Sequence, residues 1–309
     1  MYRMSRLRKH IYSGGTDDKY YIDCEHYATN PQILELFKSM KETDVAILHA
    51  IATDNTITHK HRHIVVKISR SKSMVQNEFQ IGNTLKHLPG FIKYICVYPC
   101  YDDTTRIMND TVENAPPVKT KYQICNADKK ETNLKHVLVM PYIHGGSLVS
   151  NNWTSENIND LKMIMIHTVL SLANAYEETG FIHNDLNWGN VLFKKTMVIS
   201  ITYNFSFSSI EIPTDGYKVV IMDFEKSYIG ETNISVFWMN IRMFLRGMDI
   251  HNKNGEFVSW NNEDISVYIR RMMNGNKPIK NIVGVINLIR DSTFVIRPHN
   301  PLSYNPNVF

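Results

Sequence analysis

The sequence predicts an α+β fold in two parts, a smaller strand-rich first part and a larger, mainly helical second part. Three observations point to it. The chain has 309 residues, 43% hydrophobic and 21% charged, a globular composition long enough to bury a core without staples. Up to about Tyr142 the apolar runs are mostly short and β-rich, whereas after about Asn151 they recur mostly at helical spacing. No internal repeat or long low-complexity tract interrupts either part. The predicted domains are therefore residues 1–142 and 143–309.

In the first part, Pro31 to Met40 is apolar at Ile33, Leu34, Leu36, Phe37 and Met40. That spacing predicts a helix, with Asn30 as its cap and Pro31 at its first position. Val45 to Ile51 and Ile64 to Ile68 are β-rich and flank the turn residues Asp54-Asn55, which predicts a hairpin. Ser71 to Leu88 reads as a helix ended by Pro89-Gly90. Phe91 to Tyr98 and His136 to Tyr142 read as strands, and the polar stretch between them, about 102–134, as a surface insertion.

In the second part, Thr154 or Ser155 is expected to cap a long helix reaching about Glu178, with Gly180 as its C-cap. Val191 to Phe193 and Lys218 to Met222 read as short strands, with a hairpin over Thr196 to Ile212 between them. Ile234 to Leu245 and Ile265 to Met273 are amphipathic helices, and Ile279 to Ile289 completes the helical set.

Composition excludes several classes. Lys plus Arg is 34 and Asp plus Glu 30, a formal charge of +4, too small an excess to imply nucleic-acid binding. The basic start, MYRMSRLRKHIY, has no apolar core and is not a secretory signal. The longest apolar stretch, Met163 to Leu172, is broken by His167 and is far short of a bilayer span. Four cysteines without a C-x-x-C pair do not read as a disulfide framework or zinc site, so a reducing, cytoplasmic location is expected. His59, His61 and His63 would share one strand face, which reads as an exposed polar face of the hairpin before it reads as a metal site.

Two segments carry chemistry. Gly180-Phe-Ile-His-Asn-Asp-Leu-Asn-Trp-Gly-Asn-Val-Leu-Phe193 places His183, Asp185 and Asn190 in a loop between a long helix and an apolar strand. Val219-Val-Ile-Met-Asp-Phe-Glu225 is an apolar strand ending in a carboxylate. A loop carboxylate can orient a hydroxyl and accept its proton. An amide oxygen and a second carboxylate at a strand end suit Mg²⁺, which takes oxygen ligands and leaves most positions to phosphate and water.

These segments resemble the protein-kinase-like superfamily over about Val45 to Leu245. His183-Asn184-Asp185 with Asn190 matches the catalytic loop H-x-D-x-x-x-x-N, and Asp223-Phe224 matches the metal motif D-F-G, with Glu225 where glycine usually stands. His136-Val-Leu-Val-Met-Pro-Tyr-Ile-His-Gly-Gly-Ser-Leu148 is similar to the strand, hinge and following helix, and Ile64-Val-Val-Lys-Ile68 to the V-A-I-K strand. Periodicity independently singles out Glu78, four residues after Met74, three after Val75, three before Ile81 and seven before Leu85. A carboxylate on an apolar helix face needs a partner, and Lys67 is the natural one.

The resemblance implies a bilobal kinase-like fold with ATP between the lobes. It implies Lys67, held by Glu78, on the α- and β-phosphates, Mg²⁺ on Asn190 and Asp223, Asp185 as the base and His183 bracing the loop. Val65 and Leu192 would belong to the nucleotide site, Met140 would be the gatekeeper, and Pro141, Tyr142 and Ile143 the hinge. The Pro141 carbonyl and the Ile143 N–H would contact adenine.

Departures from the pattern shape the expectation. Gly14 and Gly15 are the only glycine pair upstream of Lys67, either a phosphate-covering loop or a flexible turn. Asn187 replaces the usual loop lysine, so Lys194, Lys195 or Lys226 is expected to compensate. No A-P-E follows Asp223, which shortens the peptide platform. Ser227, Tyr228 and Thr232 are candidate phosphorylation sites. The leading expectation is a Ser/Thr protein kinase using ATP and Mg²⁺ on a protein substrate. The alternatives are a small-molecule kinase, suggested by Glu225 and Asn187, and a nucleotide-binding pseudokinase. The compact, divergent pattern and the Asn- and Ile-rich composition also resemble kinases of large DNA viruses, which would place the protein in host cytoplasm and in the virion.

Overall fold

The structure is a computed structural model. It describes residues 32–40, 45–51, 63–101, 134–246, 250–251, 257–260 and 263–297. The chain divides into two compact units: Met1–Thr84 with Ile92–Tyr142, and Leu85–Phe91 with Ile143–Phe309.

The first unit is built on an antiparallel sheet. Its strands are β1 (Gln32–Met40), β2 (Val45–Ile51), β3 (His63–Ser69), β4 (Cys96–Tyr101) and β5 (Leu134–Pro141), in the order β1-β2-β3-β5-β4. Helix α1 (Lys72–Leu85) follows β3. On β3 the side chains of Ile64, Val66 and Ile68 alternate into the core, and Lys67 is buried as well, so the C-terminal half of this central strand is covered on both faces. Helix α1 buries Val75, Glu78, Phe79, Ile81 and Leu85, the stripe expected of one helical face.

The helix expected over Pro31 to Met40 is a strand instead. Residues of β1 pair with β2, and the register shifts twice, between Ile33 and Glu35 and between Leu36 and Lys38. Each irregularity re-phases the alternation of a strand. Apolar doublets, Ile33-Leu34 and Leu36-Phe37, then fall three apart and imitate a helical period. The predicted β2–β3 pairing is present, Leu48 facing Val66, whereas the turn at Asp54-Asn55, the insertion at 102–133, His59 and His61 lie outside the described residues. His63 is half-buried and its Nδ1 lies 3.1 Å from His49 Nε2, so it is not a free polar edge. Strand β4 starts at Cys96 rather than Phe91. Cys96 is disulfide-bonded, a pairing that the expected reducing location does not favour.

The second unit is organised around α2 (Ile158–Thr179), buried without interruption from Ile164 to Tyr176. Neither Thr154 nor Ser155 caps it. The Asn157 carboxamide oxygen instead accepts the Thr154 N–H at 2.7 Å, closing a turn before the helix begins. Gly180 closes the helix in the left-handed conformation, φ 67°, its N–H bonded to the Tyr176 carbonyl. Then come β6 (Val191–Lys195), the inserted hairpin β7 (Ser200–Asn204) and β8 (Ser209–Pro213), and β9 (Tyr217–Ile221), which pairs with β6. The hairpin is pinned to α2 by His167, whose Nδ1 meets the Tyr203 hydroxyl and whose Nε2 donates to the Pro213 carbonyl, both at 2.8 Å.

Helix α3 (Ile234–Arg246) buries Phe237, Trp238, Ile241, Phe244 and Leu245. Strands β10 (Ile250–His251) and β11 (Phe257–Trp260), helices α4 (Glu263–Asn274) and α5 (Ile282–Asp291), and β12 (Phe294–Arg297) follow. Strands β10, β11 and β12 form a small antiparallel sheet that the sequence pattern does not announce. Gly90 enters this unit between α2 and β9. Its φ is 88°, and an added Cβ would sit 2.0 Å from Ser171 Oγ, so only glycine fits.

Candidate active site

In the first unit, β3 and α1 bring together the two residues expected to pair. Lys67 Nζ donates to Glu78 Oε2 at 2.8 Å, with side chains 7% and 1% exposed. The other carboxylate oxygen accepts the Tyr94 hydroxyl at 2.6 Å. A buried carboxylate is costly unless its lone pairs are used, and here each oxygen has a donor. Tyr94 carries no sequence signal, because it belongs to an irregular segment beside β5. Val65 faces Met140 across β3 and β5 in the sheet register, and Ile64 faces Pro141. Tyr142 donates its N–H to the His63 carbonyl at 3.1 Å, and its ring stacks on His49 with centroids 3.9 Å apart.

In the second unit, the loop 183–190 and the end of β9 form one bonded frame. His183 is fully buried. Its Nε2 meets the Met222 carbonyl at 2.9 Å, and because a carbonyl only accepts, this nitrogen carries the hydrogen. Burial lowers the His183 pKa most, against the opposing Met222 bond and the charges of Asp223 and Asp185, so the ring is neutral. Its Nδ1 has no partner among the described residues. Asn190 receives the Met222 N–H on its own carbonyl at 3.0 Å and donates Nδ2 to the Asp185 carbonyl at 3.0 Å. The pairing of β6 with β9, Val191 against Ile221, sets Asn190 and Met222 at the same end of the ladder. Asp223 follows at once, φ 69°, a strained backbone for a non-glycine residue.

The Asp185 carboxylate accepts from Lys226 Nζ at 2.9 Å, and both side chains are partly exposed. The carboxylate raises the Lys226 pKa. Of the three lysines expected to compensate for Asn187, Lys226 is the one at Asp185. Lys194 and Lys195 are exposed at the end of β6 away from Asn190. Asn187 itself is engaged locally, Oδ1 with the Gly189 N–H and Nδ2 with the Asp185 carbonyl. Ser227 Oγ donates to the His183 carbonyl at 2.8 Å, a contact with no signature in the sequence.

Behind the loop, Phe91, Phe181 and Phe224 pack edge to face or tilted at 5.6–6.1 Å, and Phe224 reaches the His183 ring at 5.7 Å. Leu192 faces Val220 on the ladder and forms an isolated bridge to Ser147. Ile143 is buried and opens the turn that Gly146 closes onto its carbonyl. Gly14 and Gly15 lie outside the described residues.

The donor chemistry fits a hard cation. The Asn190 amide nitrogen is spent on Asp185, which leaves Oδ1 as the atom to offer a metal, and Asp223 adds a carboxylate at the adjoining strand end. Among the described residues, no helix is long and apolar enough to cross a membrane.

The family described as the ABC1 atypical kinase-like domain matches residues 113–224. Serine/threonine-protein kinase haspin of Mus musculus is 40% identical over 82 residues, 26% of this chain and 11% of that protein. Haspin of Bos taurus is 38% identical over 82 residues, 26% of this chain and 10% of that protein. The uncharacterized protein ZK177.2 of Caenorhabditis elegans is 30% identical over 87 residues, 28% of this chain and 29% of that protein. The chain thus matches only about a tenth of the haspin proteins' length. These matches support a protein-kinase-like superfamily, mixed α and β architecture and phosphotransferase chemistry.

Proposed function

We propose that this chain is a serine/threonine protein kinase that transfers the γ-phosphate of ATP, with Mg²⁺, to a protein hydroxyl. The observation that carries the reading is the bonded frame at Met222. Its carbonyl accepts from His183 and its N–H donates to Asn190, which ties Asp185, Asn190 and Asp223 to one rigid support. Phosphoryl transfer needs little covalent chemistry from protein and is catalysed mainly by such positioning and by charge.

In this reading Asp185 orients the acceptor hydroxyl and takes its proton, and His183 keeps the loop in register with the strand end. Asn190 and Asp223 hold the Mg²⁺, which neutralises charge on the phosphate oxygens. Lys67 engages the α- and β-phosphates, kept extended by Glu78. The hinge roles of Met140, Pro141, Tyr142 and Ile143, the nucleotide-binding roles of Val65 and Leu192, and the phosphate-loop role of Gly14 and Gly15 belong to the same proposal. So does the two-lobed arrangement of residues 1–142 and 143–309. Serine/threonine specificity draws support from the name of the haspin relatives. The Asn- and Ile-rich composition supports a large DNA virus as the source, with action in host cytoplasm and the virion.

The test is transfer of labelled phosphate from ATP to a mixed protein extract and, separately, to small hydroxyl and amino compounds. Wild type should label protein serine and threonine. Asp185→Asn and Asp223→Asn should each lose at least about a hundredfold in rate while keeping the wild-type unfolding temperature. Wild-type rates in either folded variant would remove the assigned roles. Labelling of small compounds alone would instead establish the small-molecule reading, and ATP binding without turnover the pseudokinase.

A further inference from the structure

Helix α3 has an outward face that none of the chemistry above uses. Met239, Arg242, Met243 and Arg246 are spaced i, i+3, i+4 and i+7, so they form one line along the helix. Met239 and Met243 are 46% and 59% exposed. Arg246 is exposed and Arg242 half-buried, with its Nε out of contact with water.

The arginines are unusual in their company. Arg242 and Arg246 are neighbours one turn apart, and α3 packs against α4, which contributes Arg270. The charges of Arg246 and Arg270 act on Arg242, lowering its pKa after the larger effect of burial. Among the described residues none of the three has a carboxylate partner, and the Arg242 Nε makes no hydrogen bond. The nearest acidic residue in the sequence of α4, Asp264, is exposed in the first turn, about 9 Å along the axis from Arg270. Like charges at this spacing destabilise a helix, and a buried unpaired donor adds to the cost. Among the described residues, these guanidinium groups therefore present positive charge that no carboxylate matches.

We propose that Met239, Arg242, Met243 and Arg246 of α3, with Arg270 of α4, form a docking surface for an acidic peptide segment bearing apolar side chains between its carboxylates. The guanidinium groups offer forked donors that match carboxylates. Methionine is unbranched and adapts its shape to apolar partners, and two of them one turn apart fit apolar residues of an amphipathic peptide. Alternation along a single line distinguishes this surface from two others. A nucleic-acid backbone would leave the methionines without a partner, and a bilayer favours an apolar strip bordered by basic residues over an interleaved one. The proposal is independent of the phosphotransfer reading.

The experiment uses the full chain and a labelled amphipathic peptide with leucine and glutamate at alternating helical positions. Its glutamine-for-glutamate version, poly-glutamate, a single-stranded oligonucleotide and phosphatidylserine vesicles serve as competing probes. Wild type should bind the leucine–glutamate peptide in preference to all four. Arg246→Gln/Arg270→Gln and Met239→Ser/Met243→Ser should each weaken that binding by about tenfold. The arginine variant should unfold at or above the wild-type temperature, because it removes repulsion. No binding of the peptide by wild type, wild-type affinity in either variant, tighter binding of any competing probe, or a lower unfolding temperature for the arginine variant would overturn the proposal.

Discussion

Lys67 and Glu78 hold opposite charges almost out of contact with solvent, and neither can be removed alone without stranding the other. Glu78→Gln leaves a buried ammonium facing an amide. We expect it to cost about 3–5 kcal/mol in urea unfolding. Tyr94→Phe removes only one donor to the same carboxylate and should cost less, about 1–3 kcal/mol. A Glu78→Gln variant as stable as wild type would show the pair to be dispensable to the fold. At this scale the sequence was informative where a residue stood out against its neighbours. Glu78 interrupts an apolar stripe, so its burial and its need for a cation were readable from periodicity. Tyr94 and Ser227 have ordinary neighbours, and their contacts arise only when distant segments meet.

Elements were legible where one period ran uninterrupted. Strand β2, the ends of α2 near Gly180, α3 and the β7–β8 hairpin follow from spacing and turn chemistry. β1 does not, because its two register shifts turn a two-residue period into something close to a helical one. Strands β10 and β11 are too short for any period to appear. The C-cap of α2 supplies a prediction at this scale. An alanine at Gly180 would keep a φ of 67° and bring its Cβ within 2.6 Å of the Glu231 backbone nitrogen. Gly180→Ala should therefore destabilise the chain by at least about 1–2 kcal/mol from backbone strain alone, seen as a lower unfolding temperature. An unchanged temperature would mean that the segment at Glu231 yields easily.

For the molecule as a whole, buried histidines tie stability to pH. Burial is the leading cause that lowers the pKa of His136 in the first unit and of His167 and His183 in the second. At His136 the charge of Lys72 adds to it, whereas carbonyl bonds and nearby aspartates oppose it at the other two. Each is neutral in the folded chain at a pH where the unfolded chain already binds a proton. Stability is thus complete above the ordinary histidine value of 6.5 and falls as the pH drops below it, until the folded pKa values are reached. The slope is at most about 1.4 kcal/mol per pH unit for each histidine. Denaturant midpoints at neutral and mildly acidic pH should show this loss, and His167→Gln should reduce it. A midpoint that rises on acidification would contradict the assignment of neutral rings.

The segment after Asp223 is stitched down along its length. Ser227 reaches the His183 carbonyl, Tyr228 and Ile182 exchange two backbone bonds, and Gly230 and Glu231 bond to Thr179 and Gly180. Ser227 is buried, so a modifying enzyme has no access to it while these bonds hold. Tyr228 is exposed, and its hydroxyl already leans on Glu231. Esterifying that oxygen with phosphate would set a dianion against a carboxylate. Such a mark would act as a wedge that prises the seam open, the opposite of a clasp that fastens it.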